Sequence, residues 1–197
     1  MQSEHSKSHG TAHQHGKVSY LESAKRKAEF SPEQLLNRIP LKSTDHILDF
    51  GAGTGYFTIP AAKRVEGQVF ALDIDRDMLE MISQKAAKEE LANIVLLQGG
   101  NTGIPIPDAS IDVVIASLVL HEIHPLAATL TQIKDVLKGD GYLVVIELEP
   151  KGQSAHKAPR ISLAGMEQEL ERAGLHMTEK FFPAESLYVL IAQKQAF

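Results

Sequence analysis

Residues 46–56, HILDFGAGTGY, predict a short buried strand that runs into a glycine turn and then a helix. Large apolar side chains give the first part strand character, and Gly51, Gly53 and Gly55 lack the Cβ that would keep a ligand away from the backbone. The helix expected from near Tyr56 directs free N–H groups to the same place, which favours an anionic group. A ligand site is therefore predicted, although a tight turn without a ligand would use the same glycines.

The next predicted strand favours the ligand site over the plain turn. Residues 68–75, QVFALDID, form an apolar run that ends in acidic residues, about twenty positions beyond the glycines, where nucleotide-binding folds place the carboxylate that holds a ribose. A carboxylate at this strand tip can accept hydrogen bonds from both ribose hydroxyls. We expect Asp73, rather than Asp75, to have this role.

The glycine spacing differs from that of dinucleotide binders. Gly-x-Gly-x-Gly preceded by Asp49 resembles the first motif of the class I S-adenosylmethionine-dependent methyltransferases. Residues 104–114, IPIPDASIDVV, are similar to a passage of the small-molecule branch of that family, which includes the ubiquinone- and menaquinone-biosynthesis methyltransferases, and residues 118–123 continue the match. The resemblance covers residues 35–150 in detail and the remainder in outline.

This resemblance implies S-adenosylmethionine as cofactor, with S-adenosylhomocysteine as product. One departure from the family pattern is Gly100, which stands where the family usually has an Asp for the adenine amino group, while Asn101 offers a side-chain carbonyl one place later. The implied cofactor-binding residues are Asp49, Gly51, Ala52, Gly53, Gly55, Tyr56, Asp73, Ile74, Gly100, Asn101, Thr102 and Ser117.

The implied fold is an α/β doubly wound sheet of seven mostly parallel strands in the order 3-2-1-4-5-7-6, with the last strand antiparallel and helices on both faces. Apolar periodicity agrees with this order: it predicts a core helix at 55–65 and another at 76–91, whose Met78 we assign to the core and not to the cofactor. Further helices are expected at 125–138, ending at Gly139, and at 162–173, and strands at 93–98, 111–117, 141–148, 175–182 and 187–194. The connection around residues 183–186 is too short for a parallel crossover and predicts an antiparallel hairpin.

The chain is expected to form one methyltransferase domain over residues 18–197, preceded by a polar, histidine-rich tail at 1–17 that we expect to be disordered. Residues 18–38 predict two helices broken at Ser31-Pro32, where Ser31 can cap and Pro32 can open the second. In this family such helices often lie over the ligand pocket and act as a lid. No metal site is predicted.

Composition limits the function further. The chain has 197 residues, a net charge of −5 and no cysteine. The charge argues against nucleic acid as a partner and favours a small-molecule substrate, and the lack of cysteine excludes cysteine-ligated iron–sulfur clusters and a thiol nucleophile. No apolar run is long enough for a membrane span and no leader is apparent, so a cytoplasmic location is expected. The sequence does not indicate an oligomeric state.

Acid–base candidates follow the fourth and fifth strands: His121, Glu122, His124, Glu147 and Glu149. Methyl transfer mainly requires that donor and acceptor be held in line, with a base where the acceptor is protonated. We predict His121 as that base and Glu147 as a group that orients the substrate, the two catalytic assignments. The alternative for His121 is a structural histidine that bonds the backbone and shapes the pocket floor.

Residues 116–119, ASLV, stand where methyltransferases acting on exocyclic amines resemble one another in having Asn-Pro-Pro-Tyr or Asp-Pro-Pro-Tyr. The prediction is therefore methyl transfer to an oxygen, carbon or small-amine acceptor. Two alternatives stay open: a nicotinamide-dependent oxidoreductase on a Rossmann-like fold, and a non-catalytic protein that binds S-adenosylmethionine.

Overall fold

The computed structural model describes residues 30–99, 103–150 and 159–194. Within these ranges the elements are, in chain order, α1 (Pro32–Leu36), β1 (Ile47–Phe50), α2 (Thr58–Arg64), β2 (Val69–Asp73), α3 (Arg76–Lys88), β3 (Ile94–Gln98), β4 (Ile111–Ser117), a short 3-10 helix (Leu120–Glu122), α4 (Leu126–Val136), β5 (Leu137–Leu148), α5 (Leu163–Arg172), β6 (Leu175–Ala184) and β7 (Leu187–Lys194). The predicted tail at 1–17 and the first predicted N-terminal helix lie outside the described residues.

The seven strands form one sheet in the order β3-β2-β1-β4-β5-β7-β6. The first five strands are parallel to one another, and β7 runs antiparallel to both β5 and β6. The predicted fold class is thus confirmed. The order reverses between β1 and β4, and in open α/β sheets the connections leaving the carboxyl ends of such strands diverge to opposite faces and leave a crevice.

Helices cover both faces of the sheet, and each face has its own apolar core. Side chains of α1 and α2 pack with Ile47, Val69 and Val113 on one face, where α3 adds a smaller cluster beside them. Side chains of α4 and α5 pack with Leu48 and Val114 on the other face. Neighbouring residues of a central strand thus point to opposite faces of the sheet. Because both faces are buried, the sequences of these strands are continuous apolar runs. In the described ranges no helix has the length and apolarity needed to cross a membrane.

The start of α1 follows the predicted capping pattern. The Ser31 hydroxyl accepts a hydrogen bond from the Gln34 amide at 3.2 Å, and the Gln34 side chain accepts one from the Ser31 amide at 3.3 Å. This reciprocal pair satisfies two of the amides that a helix start leaves unpaired. Pro32 occupies the first position of the helix, where its missing N–H costs nothing. The helix is only five residues long, and its buried leucines attach it to the core.

The predicted start of the first core helix was wrong. Helix α2 begins at Thr58, three residues later than expected, because Gly51, Gly53 and Gly55 all have positive φ angles of 72°, 53° and 84°. A right-handed helix requires negative φ, so the glycines form a turn of their own and the helix starts only after them.

The boundary between α4 and β5 was also predicted incorrectly. The helix ends at Val136, and the chain becomes extended at Leu137, so β5 begins before the expected stop at Gly139. Leu137 is fully buried and pairs with Ile111, after which the register shifts so that Val113 pairs with Tyr142. Burial of one leucine thus starts the strand early, and the polar residues 138–140 form a bulge between the two paired parts.

The hairpin at the end of the sheet is confirmed, with a shorter turn than expected. Pro183 and Ala184 still belong to β6, so only Glu185 and Ser186 connect the strands. Strand β6 is the edge of the sheet, where a proline is tolerated because one side of the strand needs no ladder partner.

The turn before β2 allows a stability test. A Cβ on Gly67 would lie 2.1 Å from the Asp45 carbonyl oxygen, so Gly67→Ala must displace backbone. We expect a loss of about 2–3 kcal/mol in the free energy of unfolding, measured by urea titration. The matched control is Gly99→Ala, whose Cβ would find its nearest atom at an ordinary 3.5 Å and should cost less than about 1 kcal/mol. Equal losses would contradict the close approach at Gly67.

Candidate active site

The glycine turn is fastened to the end of the neighbouring strand. The amides of Gly51 and Ala52 donate hydrogen bonds to the Leu72 carbonyl at 2.8 and 3.0 Å. A Cβ on Gly51 would lie 2.4 Å from Cγ2 of Val119, so the turn also packs directly against the segment that follows β4. The absence of a side chain at Gly51 therefore lets two loops meet at the carboxyl edge of the sheet.

Asp73, the last residue of β2, completes this attachment. Its Oδ2 accepts the Gly53 amide at 2.7 Å and its Oδ1 accepts the Asp75 amide at 2.9 Å. Each carboxylate oxygen still has a second acceptor position, because a carboxylate can accept about four hydrogen bonds. Asp75 is instead the N-cap of α3, and its side chain accepts the Asp77 amide at 2.9 Å. The geometry thus gives Asp73 and Asp75 different local roles.

Asp49 lies beneath the turn and is almost fully buried. Its Oδ2 accepts the Thr58 hydroxyl at 2.6 Å, which links the end of β1 to the first residue of α2. The Lys85 ammonium donates to the Thr54 carbonyl at 2.7 Å and holds the turn from the side of α3. Charged groups therefore fix the turn from below and from one side, which reduces the conformational freedom that its glycines would otherwise have.

A cavity of about 260 Å³ opens above this turn, at the carboxyl ends of β1, β2 and β4. The predicted site residues that line it are Asp49, Gly51, Ala52, Gly53, Tyr56, Asp73, Ile74 and Ser117. Gly55 does not line the cavity, because its backbone packs against the side chain of Ile82. Gly100, Asn101 and Thr102 lie outside the described residues.

Several lining residues were missed by the sequence analysis: Phe50, Phe57, Leu72, Met78, Gly99, Leu118, Val119 and Ile123. Glu122, one of the acid–base candidates named from the sequence, also lines the cavity. Met78 was assigned to the core alone, and that assignment was incomplete, since its side chain is buried and also forms part of the cavity wall. The helical spacing of Met78 correctly predicted that its side chain is buried in the core. Spacing along one helix, however, carries no information about a cavity that the helix forms with other elements. Adjacency to the glycine turn could have indicated Phe57.

The cavity rim carries an apolar side chain and a tyrosine. Ile74 is 66% exposed, so it offers an apolar surface at the edge of the cavity. Tyr56 donates its hydroxyl to the Phe30 carbonyl at 2.9 Å, so it joins the segment before α1 to the cavity wall. The Phe30 ring in turn packs edge-on against Phe181 of β6 at 5.9 Å.

His121 and Glu147, the two predicted catalytic residues, are brought together but do not line the cavity. The Glu147 carboxylate is completely buried on β5, and His121 lies in the 3-10 helix after β4. One Glu147 oxygen is 2.7 Å from His121 Nδ1, and the other accepts the His121 amide at 3.3 Å. Glu147 thus holds the ring and the backbone of a single residue.

Tyr188 lies behind this pair, opposite Glu147 on the antiparallel strand β7. Burial raises the pKa of its phenol far above the usual value of 10.0, and the neighbouring Glu147 and Glu149 carboxylates raise the pKa further. The phenol therefore stays protonated and donates to the Ile161 carbonyl at 2.9 Å. Glu149 accepts the Leu163 amide at 2.8 Å, so it helps to hold the start of α5.

The groups that line this cavity suit a nucleoside. In residues 30–99, 103–150 and 159–194, no cluster of three or more His, Asp or Glu residues could hold a metal. The cavity instead combines close-approach backbone at Gly51, a fixed carboxylate at Asp73 and an exposed apolar surface at Ile74. These features fit a phosphate-free nucleoside such as the adenosine of S-adenosylmethionine, whose ribose needs acceptors and whose base needs an apolar contact.

Comparison with known proteins points the same way. A family model described as a methyltransferase domain matches residues 48–145. The chain is 35% identical over 124 residues to a demethylmenaquinone methyltransferase of Lactiplantibacillus plantarum, a match that covers 61% of this chain and 52% of that protein. This chain therefore spans about half the length of the curated relatives it matches.

Solved structures give the same family and a wider view of the fold. A SAM-dependent methyltransferase from Aquifex aeolicus superposes with a TM-score of 0.82 at 26% identity, over 90% of this chain and 97% of that one. The [4+2]-cyclase SpnF has a TM-score of 0.75 at 19% identity, covering 84% of this chain and 81% of its own. The second match shows the fold alone, and its name indicates that this fold also occurs in a protein with a different activity.

The buried phenol of Tyr188 predicts a change of stability with pH. Because its pKa is higher in the folded than in the unfolded chain, its stabilising contribution is complete below pH 10 and is lost as the pH rises above that value. Tyr188→Phe should cost about 1 kcal/mol near neutral pH, through loss of the bond to Ile161. Above about pH 10 the free energy of unfolding of the wild type should fall, relative to that of the variant, by up to about 1.4 kcal/mol per pH unit.

Urea unfolding of both proteins at about pH 7 and about pH 11 measures this difference. The advantage of the wild type should shrink or reverse at the higher pH. A constant difference at both values would show that the phenol is not protected in the folded chain.

Proposed function

The chain belongs to the class I S-adenosylmethionine-dependent methyltransferase family, and from this membership we propose that it transfers a methyl group from S-adenosylmethionine to a small-molecule acceptor. The observation that carries the proposal is Asp73. Its carboxylate is held by the amides of Gly53 and Asp75 at the edge of a cavity whose floor is the glycine turn. Such a fixed acceptor pair suits the two hydroxyls of a ribose.

The proposed donor site uses the lining residues in three groups. The backbone of the glycine turn takes the amino-acid part, the Asp73 carboxylate takes the ribose, and Ile74 provides an apolar surface for the adenine. Ser117, at the end of β4, lies on the opposite wall. The role of Gly100, Asn101 and Thr102 in holding the adenine stays a prediction.

When bound, S-adenosylmethionine supplies a methyl group on a positively charged sulfur, an electrophile that needs no covalent help from the protein. The chain's own residues then have to orient the acceptor, exclude water and, where the acceptor carries a proton, receive it. His121 and Glu147 are the proposed acid–base pair. Their 2.7 Å contact supports this pairing, since Glu147 holds Nδ1 of His121, although neither residue lines the cavity.

The acceptor is proposed to be a small, largely apolar molecule methylated on oxygen, carbon or an amine nitrogen. The relatives named demethylmenaquinone methyltransferase support an aromatic or quinone-derived acceptor. Apolar cavity walls at Phe50, Phe57, Leu118 and Ile123 are compatible with such a molecule. We further propose a cytoplasmic location and no nucleic-acid partner, in keeping with the net charge of −5.

Cofactor binding provides the first test. Isothermal titration should give binding of S-adenosylhomocysteine, and Asp73→Ala should weaken it by about 30-fold to nearly 1,000-fold, since two charge-assisted hydrogen bonds are lost. Asp73→Asn should fall between the wild type and Asp73→Ala. The matched control, Asp75→Ala, removes the cap of α3 and should cost about 1 kcal/mol of stability with a smaller change in affinity.

Because Asp73 also holds the Gly53 amide, the titration needs a second arm that separates ribose contact from disturbance of the turn. The 2′-deoxy and 3′-deoxy forms of S-adenosylhomocysteine serve this purpose. The wild type should discriminate against them, whereas Asp73→Ala should be nearly indifferent. If Asp73→Ala binds S-adenosylhomocysteine with an affinity within about threefold of that of the wild type, Asp73 is not the ribose ligand. If the wild type binds a nicotinamide dinucleotide instead of S-adenosylhomocysteine, the proposed function is wrong.

Methyl transfer is the second test. The purified protein is incubated with S-adenosylmethionine carrying a deuterated methyl group and with a panel that includes reduced demethylmenaquinone, phenols and small amines, and products are detected by mass spectrometry. We expect label in one acceptor class and none with Gly53→Val, in which a branched side chain blocks the turn. Binding without transfer across the whole panel would favour the non-catalytic alternative.

A further inference from the structure

Among the lining residues that the structure describes, the cavity has one carboxylate on its β4 side. Asp49, Asp73 and Asp75 belong to the ends of β1 and β2, whereas Glu122 follows β4. The sheet order places β1 between β2 and β4, so Asp73 and Glu122 lie on opposite sides of β1. A ligand that binds Asp73 at one end and crosses the cavity brings its other end to the side of Glu122.

The short 3-10 helix holds Glu122 at this wall. The Glu122 amide donates to the Val119 carbonyl at 3.0 Å, and Val119 is the residue that packs directly on Gly51. Glu122 and the glycine turn are therefore connected through a single tight turn of chain. The side chain of Glu122 is about half exposed, at 46%, and Ile123 beside it also lines the cavity.

The buried pair supports this turn from behind. The Glu147 carboxylate accepts a hydrogen bond from the His121 amide and contacts Nδ1 of the His121 ring. The other ring nitrogen, Nε2, lies 3.9 Å from a Glu122 oxygen. Burial of a carboxylate is unfavourable unless its oxygens are hydrogen-bonded, so a buried carboxylate is weak evidence for a gain in stability. Glu147 fixes His121, and His121 lies beside Glu122. The buried Glu147 carboxylate therefore helps to position Glu122 at the site.

We propose that Glu122 determines acceptor specificity, and that His121 and Glu147 are positioning residues that fix the 3-10 helix from which its carboxylate reaches the position where the methyl group is transferred. The proposal rests on the proposed function and refines it. It assigns the direct contact with the acceptor to Glu122 instead of His121. A carboxylate at that position selects acceptors that present a hydrogen-bond donor or a cationic group, such as a hydroxyl or an amine, beside the atom that is methylated.

The test uses sinefungin, an analogue of the cofactor that carries a primary amine in place of the methyl-bearing sulfonium. If Glu122 faces the transferred methyl group, the wild type should bind sinefungin about tenfold or more tightly than S-adenosylhomocysteine. Glu122→Gln should reduce this preference to within about threefold, with affinity for S-adenosylhomocysteine nearly unchanged. Both dissociation constants are measured by isothermal titration, and circular dichroism checks folding.

Two further variants complete the design. Glu66→Gln is the matched control, since Glu66 is an exposed carboxylate in the turn before β2, at the opposite end of the strands, and should keep the wild-type preference. Glu147→Ala should lower the preference as Glu122→Gln does, whereas Glu147→Gln, which keeps an acceptor oxygen for His121, should restore most of it. A purely structural role of Glu147 would weaken both ligands equally.

Each outcome is decisive. A wild type that shows no preference, or a Glu122→Gln variant that keeps it, would overturn the assignment of Glu122 while leaving the proposed function intact. Equal weakening of both ligands in Glu122→Gln would place the carboxylate against the amino-acid end of the ligand and would also overturn it. Failure of the wild type to bind either ligand would instead contradict the proposed function itself.

Discussion

The candidate site depends on the attachment of the glycine turn to the tip of β2. Three successive amides, from Gly51 to Gly53, donate to the last two residues of that strand, two to the Leu72 carbonyl and one to the Asp73 carboxylate. A turn of glycines has many accessible conformations, and these bonds select one of them. The parallel register that pairs Phe50 with Leu72 brings the two strand ends level, so the fold itself supplies the geometry for the attachment.

The other half of the site depends on a buried carboxyl group. Glu147 lies near the carboxyl end of β5, next to the last pair with β4, Ser117 with Ile146, and it pairs with Tyr188 of β7 on the other side. Its carboxylate is satisfied by His121, and the raised pKa of Tyr188 keeps that neighbour neutral beside it. The segment after β4 is therefore fixed by an electrostatic contact from β5, while the segment after β1 is fixed by backbone amides. The cavity lies between these two rigid walls, which favours binding of a ligand without large rearrangement.

The sequence predicted the features that local chemistry determines. The resemblance to the methyltransferase family implied the strand order, a short connection predicted the hairpin, and an apolar run that ends in acidic residues predicted the position of Asp73. The late start of α2 and the early start of β5 were not predicted, because the first depends on the φ angles of three glycines and the second on the burial of Leu137. Met78 and Val119 were not assigned to the site, since a cavity forms between elements distant in the sequence. The burial of His121 likewise depends on β5, 26 residues further along the chain.

The most direct measurement of the central claim is a crystal structure of the protein with S-adenosylhomocysteine. The account predicts that both ribose hydroxyls donate to the Asp73 carboxylate at about 2.6–2.9 Å, with the Gly53 amide still bonded to Oδ2 and the sulfur on the side of β4. A ligand found outside this cavity would contradict the account, as would a ribose that does not contact Asp73.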